Sequence, residues 1–249
     1  MNLKEANFNL KIILVEPNGP LNVGSIARLC SNFNVDQLRI VSPKCNIYSL
    51  ETKKMALKGI KFIKECAIYE SLIDSISDCD LVLATCGRID CHKEHEQYSL
   101  ENISTWIRNF KEVKNLAILF GREDRGLTNR ELLMAHKVFT VNAHKDFPSL
   151  NLSHAVSIVL YELSKIKEPD NILKKKDLDF ATSKQIEDSF LDIEKLLIKT
   201  GYVLPHNLNA KISKFKKYIH RSETSKHELN ILRGIVHQIN WALENTNKI

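Results

Sequence analysis

The sequence predicts an α/β protein built on a parallel, doubly wound sheet. Short apolar runs recur along residues 11–141, each a candidate buried strand. Segments with helical apolar spacing lie between them, and that alternation implies βαβ units. The unusual polar clusters fall in the loops after strands, where ligands bind in such folds.

Residues 11–15 (KIILV) read as the first strand, ending in the turn-rich Glu16-Pro17-Asn18-Gly19-Pro20. Residues 22–33 read as a helix with Ile26, Leu29, Cys30 and Phe33 on one face. Residues 37–41 form a second strand, stopped by Pro43. Helical character at 50–57 is followed by a brief strand at 67–69, a short helix at 71–77 and an apolar strand at 81–85. Residues 116–120 (LAILF) give the clearest buried strand. Thr128 opens a helix, TNRELLMAH, in which Glu131 completes a capping box. Residues 138–141 are the last strand. Residues 148–163 then join a polar loop to a helix without a break. Leu152, Ala155, Val156, Val159, Leu160 and Leu163 share one wide face, and Ile158 adds apolar surface on the other side. That pattern predicts a largely buried helix, with Ser149, Asn151 and Ser153 placed to cap it.

Beyond Leu163 the character changes. Residues 165–181 are charged and contain Pro169, which reads as a linker between a domain at 1–164 and a helical extension at 182–249. Thr182 with Gln185, and Ser225 with Glu228, form capping boxes ahead of amphipathic runs; Asn207 precedes a third, and Gly201 ends the first. These helices are expected to lack a core of their own and to pack on the first domain or on a second subunit.

Composition bounds the function. A chain of 249 residues with 43% hydrophobic and 27% charged residues is an ordinary globular protein. Residues 1–10 have no apolar h-region and no run is long enough to cross a bilayer, so a cytoplasmic protein with no membrane partner is expected. The six cysteines hold no Cys-x-x-Cys pair and read as reduced, mostly buried thiols. Between Lys199 and Arg233 eight lysines and arginines face only Glu223 and Glu228, so this window carries the whole formal excess of +6. A basic patch of that kind suits a polyanion, against the plainer reading of a solvated face.

Three loop motifs stand out. The first, NVGSIAR at 22–28, sets Gly24 near a helix start, where close backbone approach to an anion is possible, with Arg28 about one turn further on. An Asn-capped helix with an exposed arginine is the plainer reading. The second, FGREDRGL at 120–127, crowds Arg122, Glu123, Asp124 and Arg125 between two glycines. Such a turn is costly to order without paired charges or a ligand. The third is the triplet Ser149-Leu150-Asn151. Cys91, His92 and His95 are metal-ligand types, but no second ligand pair stands at a recognised spacing; a polar loop and no metal are expected there.

In this order, at these strand ends, the motifs resemble those of the TrmH branch of the SPOUT RNA methyltransferases. The resemblance rests on FGRE followed by GLTN, on SLNLSHAV, and on ELNILRGI at 228–235; it spans nearly the whole chain, least over 90–115. It implies a parallel-sheet SPOUT fold with a C-terminal trefoil knot, plus a small helical C-terminal extension. It implies S-adenosyl-L-methionine as cofactor, contacted at Thr85, Cys86, Gly87, Gly121, Val141, Pro148, Ser149 and Leu150. Cys86-Gly87 and Pro148 stand where relatives often carry small hydroxyl residues or alanine. Also implied are a homodimer with the active site near its interface, and catalytic positions at Arg28, Glu123, Ser149 and Asn151. The C-terminal match points to tRNA, and to the ribose 2′-hydroxyl of cytidine or uridine at anticodon-loop nucleotide thirty-two.

A ribose hydroxyl is a poor nucleophile until its proton is taken and it is held in line with the methyl. The family gives the proton to the arginine matching Arg28. A guanidinium normally stays protonated, so Arg28 is expected to orient the phosphate and hydroxyl in any case. Asn22, Arg28, Arg88, Lys211, Lys214, Lys217 and Arg221 are the candidate RNA contacts. Two rivals are the same chemistry on ribosomal RNA and a non-catalytic RNA-binding dimer of the same fold. A nicotinamide enzyme is disfavoured because no Gly-x-Gly-x-x-Gly follows the first strand.

Overall fold

A computed structural model describes residues 8–87, 97–107, 113–144, 149–165, 181–221 and 224–245. Among these residues seven parallel strands form one sheet: β1 (Asn9–Val15), β2 (Gln37–Val41), β3 (Ala67–Tyr69), β4 (Leu81–Thr85), β5 (Gln97–Ser99), β6 (Asn115–Phe120) and β7 (Lys137–Thr140). Their order is β3-β2-β1-β6-β4-β7-β5, so the two edges are three-residue strands. Short edges limit the unpaired N–H and C=O groups a sheet exposes. The apolar runs predict every strand but β5, whose Gln-Tyr-Ser carries no strand pattern.

Alternation along the strands builds two layers of core. Leu10, Ile12 and Leu14 of β1 join Leu81 and Leu83 of β4 on one face, against α1 (Pro20–Asn32), α5 (Leu100–Ile107) and α7 (Leu152–Ser164). Ile13 and Val15 join Val82, Ala84, Ala117 and Leu119 on the other, against α4 (Leu72–Ile76) and α6 (Asn129–Leu132). The expected long helix after Thr128 is thus a single turn, although its Thr128–Glu131 capping box forms. The helical stretch from Leu50 is also broken: α2 (Leu50–Ala56) stops at Leu57, held at φ +46°, and α3 (Ile60–Lys64) follows a 3-10 turn.

The helix at 152–164 is buried on one face only. Leu152, Val156, Val159, Leu160 and Leu163 are in the core, whereas Ile158 and Tyr161 are exposed on the outer face. This narrows the expectation of a largely buried helix to burial of its one wide face. Cys30, Cys45, Cys66 and Cys79 are free thiols, as expected, and burial pushes the Cys66 thiol up to about 12. Cys86, where the chain leaves β4, is instead disulfide-bonded, which corrects the expectation for that residue.

Among the described residues three α-helices make up the extension: α8 (Ser183–Lys199), α9 (Leu208–Arg221) and α10 (Lys226–Asn245). Both predicted capping boxes form, and Gly201 ends α8 at φ +71°. Contrary to expectation, these helices share a core of their own. Ile186, Phe190, Ile193 and Leu196 of α8 meet Ile212 and Ile219 of α9 and Leu229 and Val236 of α10. Phe190 is fully buried there and meets Phe215 edge-on, with ring centroids 5.5 Å apart. Gly234 stands mid-way along α10, where glycine costs about 1 kcal/mol relative to alanine. Among the described residues no helix is long and apolar enough to cross a membrane.

The end of the sheet away from the loop motifs is clamped by charge. Asp78 accepts from Lys11 Nζ at 2.6 Å and from both Arg39 terminal nitrogens at 2.7 and 2.9 Å. Lys11 and Arg39 are buried, and the guanidinium beside Asp78 holds its carboxyl well below the usual carboxylate range. Asp78→Ala leaves two buried cations without their anion. It is expected to cost about 2 kcal/mol in urea denaturation, the low end for a broken buried pair because Asp78 itself is half-exposed.

Candidate active site

The loop motifs meet at the C-terminal ends of the strands, and Glu123 is their junction. Its carboxylate accepts the backbone N–H of Asn18 at 3.0 Å, that of Gly19 at 3.0 Å and the Asn22 side-chain amide at 3.1 Å. Gly19 is the N-cap of α1 and makes no side-chain cap. The carboxylate therefore sits where a helix start leaves N–H groups unpaired and its dipole favours an anion. Asn22 Oδ1 in turn accepts Asn151 Nδ2 at 3.0 Å. Asn151 Oδ1 closes the chain of contacts by accepting the N–H of Ser153 at 2.9 Å and of His154 at 3.4 Å, which caps α7. One residue from each motif thus belongs to a single hydrogen-bonded relay. Burial pushes the Glu123 carboxyl up, but its donors outweigh burial and hold it below the ordinary range.

The role expected of Gly24 is different. Gly24 is buried, and a Cβ there would lie 2.5 Å from the Thr52 carbonyl oxygen and 2.8 Å from Met55 Cβ. Glycine is required because α1 crosses α2 at this point; the anion at the start of α1 is Glu123, not a ligand at Gly24.

The charged turn is ordered by paired charges. Arg122 donates from Nε to Glu16 at 2.9 Å and from both terminal nitrogens to Glu131 at 2.9 Å each. Contact with Glu16 first, and with Glu131 next, raises the Arg122 guanidinium above its ordinary value. Arg122 and Gly126 pair backbone to backbone, with Gly126 at φ +68°, so the turn folds back on itself. A Cβ on Gly121 would come within 2.2 Å of the Gly126 carbonyl carbon, which excludes any side chain there.

This turn forms one wall of a cavity of about 530 Å³. Seven of the eight positions that the resemblance names for a cofactor line it: Thr85, Cys86 and Gly87 at the end of β4, Gly121, Val141 after β7, and Ser149 and Leu150 before α7. The eighth expected position, Pro148, lies outside the described residues. Phe120, Asp124, Leu152 and Ala155 also line the cavity and were not singled out as pocket residues from the sequence, although all four fall in its marked motifs. Thr85 Oγ1 donates to the Leu119 carbonyl at 3.0 Å, which ties the ends of β4 and β6.

Arg28 is exposed on α1 and is not among the lining residues. Lys211 is exposed, with Nζ 4.7 Å over the Tyr202 ring. Arg88, the Cys91–His95 cluster and the side chains of Lys214, Lys217 and Arg221 lie outside the described residues.

Residues 9–161 match the family model described as the SpoU rRNA Methylase family. Residues 184–248 match the model for the C-terminal domain of the tRNA methyltransferase TrmJ. The tRNA (cytidine-2′-O-)-methyltransferase TrmJ of Sulfolobus acidocaldarius is 35% identical over 206 residues, covering 77% of this chain and 86% of that protein. The chain belongs to the SpoU methylase family, in its TrmJ branch. Another TrmJ, the tRNA (cytidine/uridine-2′-O-)-methyltransferase of Pectobacterium atrosepticum, is 28% identical and covers 93% of this chain and 96% of that one. Among solved structures, TrmJ from Z. mobilis superposes with a TM-score of 0.79 at 25% identity, covering 92% of this chain and 98% of the other. The SpoU methyltransferase AviRb of Streptomyces viridochromogenes, solved with AdoMet, shares the fold at a TM-score of 0.52 and 17% identity, over 64% of this chain and 60% of that one. The seven-stranded parallel sheet is the SpoU/SPOUT methyltransferase fold.

Glu123→Gln tests the relay in this SpoU chain. The amide presents a donor to an N–H where the carboxylate accepted, so a loss of about 1–3 kcal/mol is expected in thermal denaturation at neutral pH. Because the folded carboxyl lies below its unfolded value of about 4, its contribution is complete above that pH and is lost as pH falls through the folded value. The Gln variant should lack this part of the acid dependence.

Proposed function

We propose that the protein is an S-adenosyl-L-methionine-dependent tRNA (cytidine/uridine-2′-O-)-methyltransferase acting in the anticodon loop, at nucleotide thirty-two by resemblance. The observation that carries the reading is the TrmJ-type C-terminal extension at 184–248 joined to a SpoU domain at 9–161. The first match alone is equally at home on ribosomal RNA; the second favours tRNA.

The cavity suits the cofactor. Its volume of about 530 Å³ lies in the range of small-ligand pockets, and apolar walls at Val141, Leu150 and Leu152 are joined by the acidic and basic groups of the 122–125 turn. That mixture matches a nucleoside bearing a cationic amino-acid arm. Bound there, the group supplies an electrophilic methyl. Thr85, Gly87, Gly121, Val141, Pro148, Ser149 and Leu150, with Cys86, are the residues that would hold it.

In this reading Arg28 grips the phosphate beside the target ribose and orients its 2′-hydroxyl. Glu123 and Asn151 fix the two loops that carry the substrate and cofactor walls, and Ser149 stands at the cavity mouth. Asn22 takes its place in the relay through both ends of its amide, so its share in RNA binding is through loop position. Arg88, Lys211, Lys214, Lys217 and Arg221 contact the RNA backbone, with the domain at 1–164 carrying catalysis and the extension at 182–249 carrying tRNA binding. The exposed outer faces of α1 and α7, with Leu21 beside Arg28's face and Ile158 and Tyr161 opposite, support a homodimer that buries them near the site. A cytoplasmic location accords with a tRNA substrate.

Methyl transfer from labelled cofactor to total RNA, followed by mapping of the modified nucleotide, tests the reading. Label at a ribose of the tRNA anticodon loop is expected; label confined to ribosomal RNA, or none, overturns it. Arg28→Lys is expected to keep cofactor affinity and to lose at least about a hundredfold in turnover, because a lysine cannot present the planar fork that orients phosphate and hydroxyl together.

A further inference from the structure

A second cavity, of about 380 Å³, lies between α8 and α10. Lys195 and Asp192 line it from α8; Asn230, Arg233, Gly234 and His237 line it from α10. The four α10 positions follow i, i+3, i+4 and i+7 spacing, so they share one helix face. Gly234 is exposed, and a Cβ built there meets no atom within 4 Å. No neighbour among the described residues therefore requires glycine at a position where the helix disfavours it. A reason from outside the chain is a ligand backbone that comes close to the helix.

Charge says which ligand. Two other cations of the extension are neutralised: Lys216 is 2.7 Å from Glu187, and Lys199 is 2.8 Å from Glu244. Here Arg233 and Asp192 stand 3.9 Å apart with side chains 47% and 45% exposed, a weak pair. Lys195 has no ion pair among the described residues. Two cations and one carboxylate leave a positive groove, flanked by the Asn230 amide and the His237 imidazole. Ile231, Ile235 and Ile239, exposed apolar residues of α10, form a stripe at i, i+4 and i+8 that is separate from the groove.

We propose that this groove binds the phosphodiester backbone of RNA, with Gly234 as the point of closest approach and Arg233 and Lys195 as the phosphate contacts. The proposal rests on the tRNA reading above and adds a site outside the basic α9 face. The full-length protein and unmodified tRNA test it, by fluorescence anisotropy across a salt series and by thermal melting. Gly234→Ala should raise the melting temperature by about 2 °C, since alanine favours the helix and clashes with nothing, yet weaken tRNA binding about threefold. Gly234→Leu should weaken binding by about tenfold or more without lowering the melting temperature. Arg233→Gln and Lys195→Gln should each reduce the salt slope by about one. If wild-type protein binds tRNA and these variants bind equally well with unchanged slopes, the groove is overturned while the functional reading stands. If wild-type protein neither binds nor methylates tRNA, the functional reading fails and takes the groove with it.

Discussion

The site depends on one carboxylate placed at the start of one helix. Glu123 belongs to the loop after β6, yet its donors are the backbone of Asn18 and Gly19 and the amide of Asn22, in the loop after β1. β1 and β6 are neighbours in register over Asn9–Leu14 and Asn115–Phe120, so both loops leave the sheet side by side. A helix start with no side-chain cap would be incomplete by itself, and a carboxylate in a loop held by two glycines would be mobile by itself. Each supplies what the other lacks. Asn151 extends the arrangement to α7 through Asn22, so the geometry of the cavity wall and the capping of two helices are one set of hydrogen bonds.

Arg122, the residue before Glu123, explains why the carboxylate stays in position. Its guanidinium spends its donors on Glu16 and Glu131 and on the Gly126 carbonyl, which leaves little freedom to the turn. Glu131 also caps Thr128, so the same carboxylate starts α6 and anchors the loop. Glu16 adopts φ +46°, an unfavourable conformation for a residue with a side chain, at the end of β1 where its carboxylate reaches Arg122. Local strain at Glu16 is thus offset by an ion pair that fixes the turn, and the turn positions Glu123.

Much of this was legible from residue patterns, and the failures have physical causes. β1, β2, β4 and β6 announce themselves because a strand buried on both faces must be apolar at nearly every position. β5 and α5 lie in the stretch least like the family, and an edge strand of three polar residues leaves no periodicity to detect. The charged turn was recognised as needing partners, and it has them; Glu16, at a separation of 106 residues, could not be named from the sequence. The crossing role of Gly24 is hidden in the sequence because glycine for a helix crossing and glycine for an anion look alike in one dimension. The extension's core is hidden in the sequence because each helix shows one narrow apolar face, and only their convergence on Phe190 reveals that three such faces suffice. The path of the chain through a knot has no local signature at all, and only the family resemblance implied it.

The two faces of α7 show how one helix can serve both the pocket and a partner. Its inner face, Leu152 to Leu163, is fixed by the sheet and by α1, so Asn151 and Leu152 at its start cannot shift without disturbing the core. Its outer face exposes Ile158 at 40% and Tyr161 at 57%, and α1 alongside exposes Leu21 at 52%. Ile158 and Tyr161, three residues apart, share one outward face of α7, unlike scattered single residues, which need no explanation. Arg28 is exposed on that same α1, outside the cavity it would have to serve. A second copy covering this surface, as in the proposed homodimer, would bury the apolar residues and bring Arg28 beside a cavity wall in the same step. In the proposed dimer the placement of Arg28 would then follow from where the apolar surface lies, and the role proposed for it would need the assembled pair.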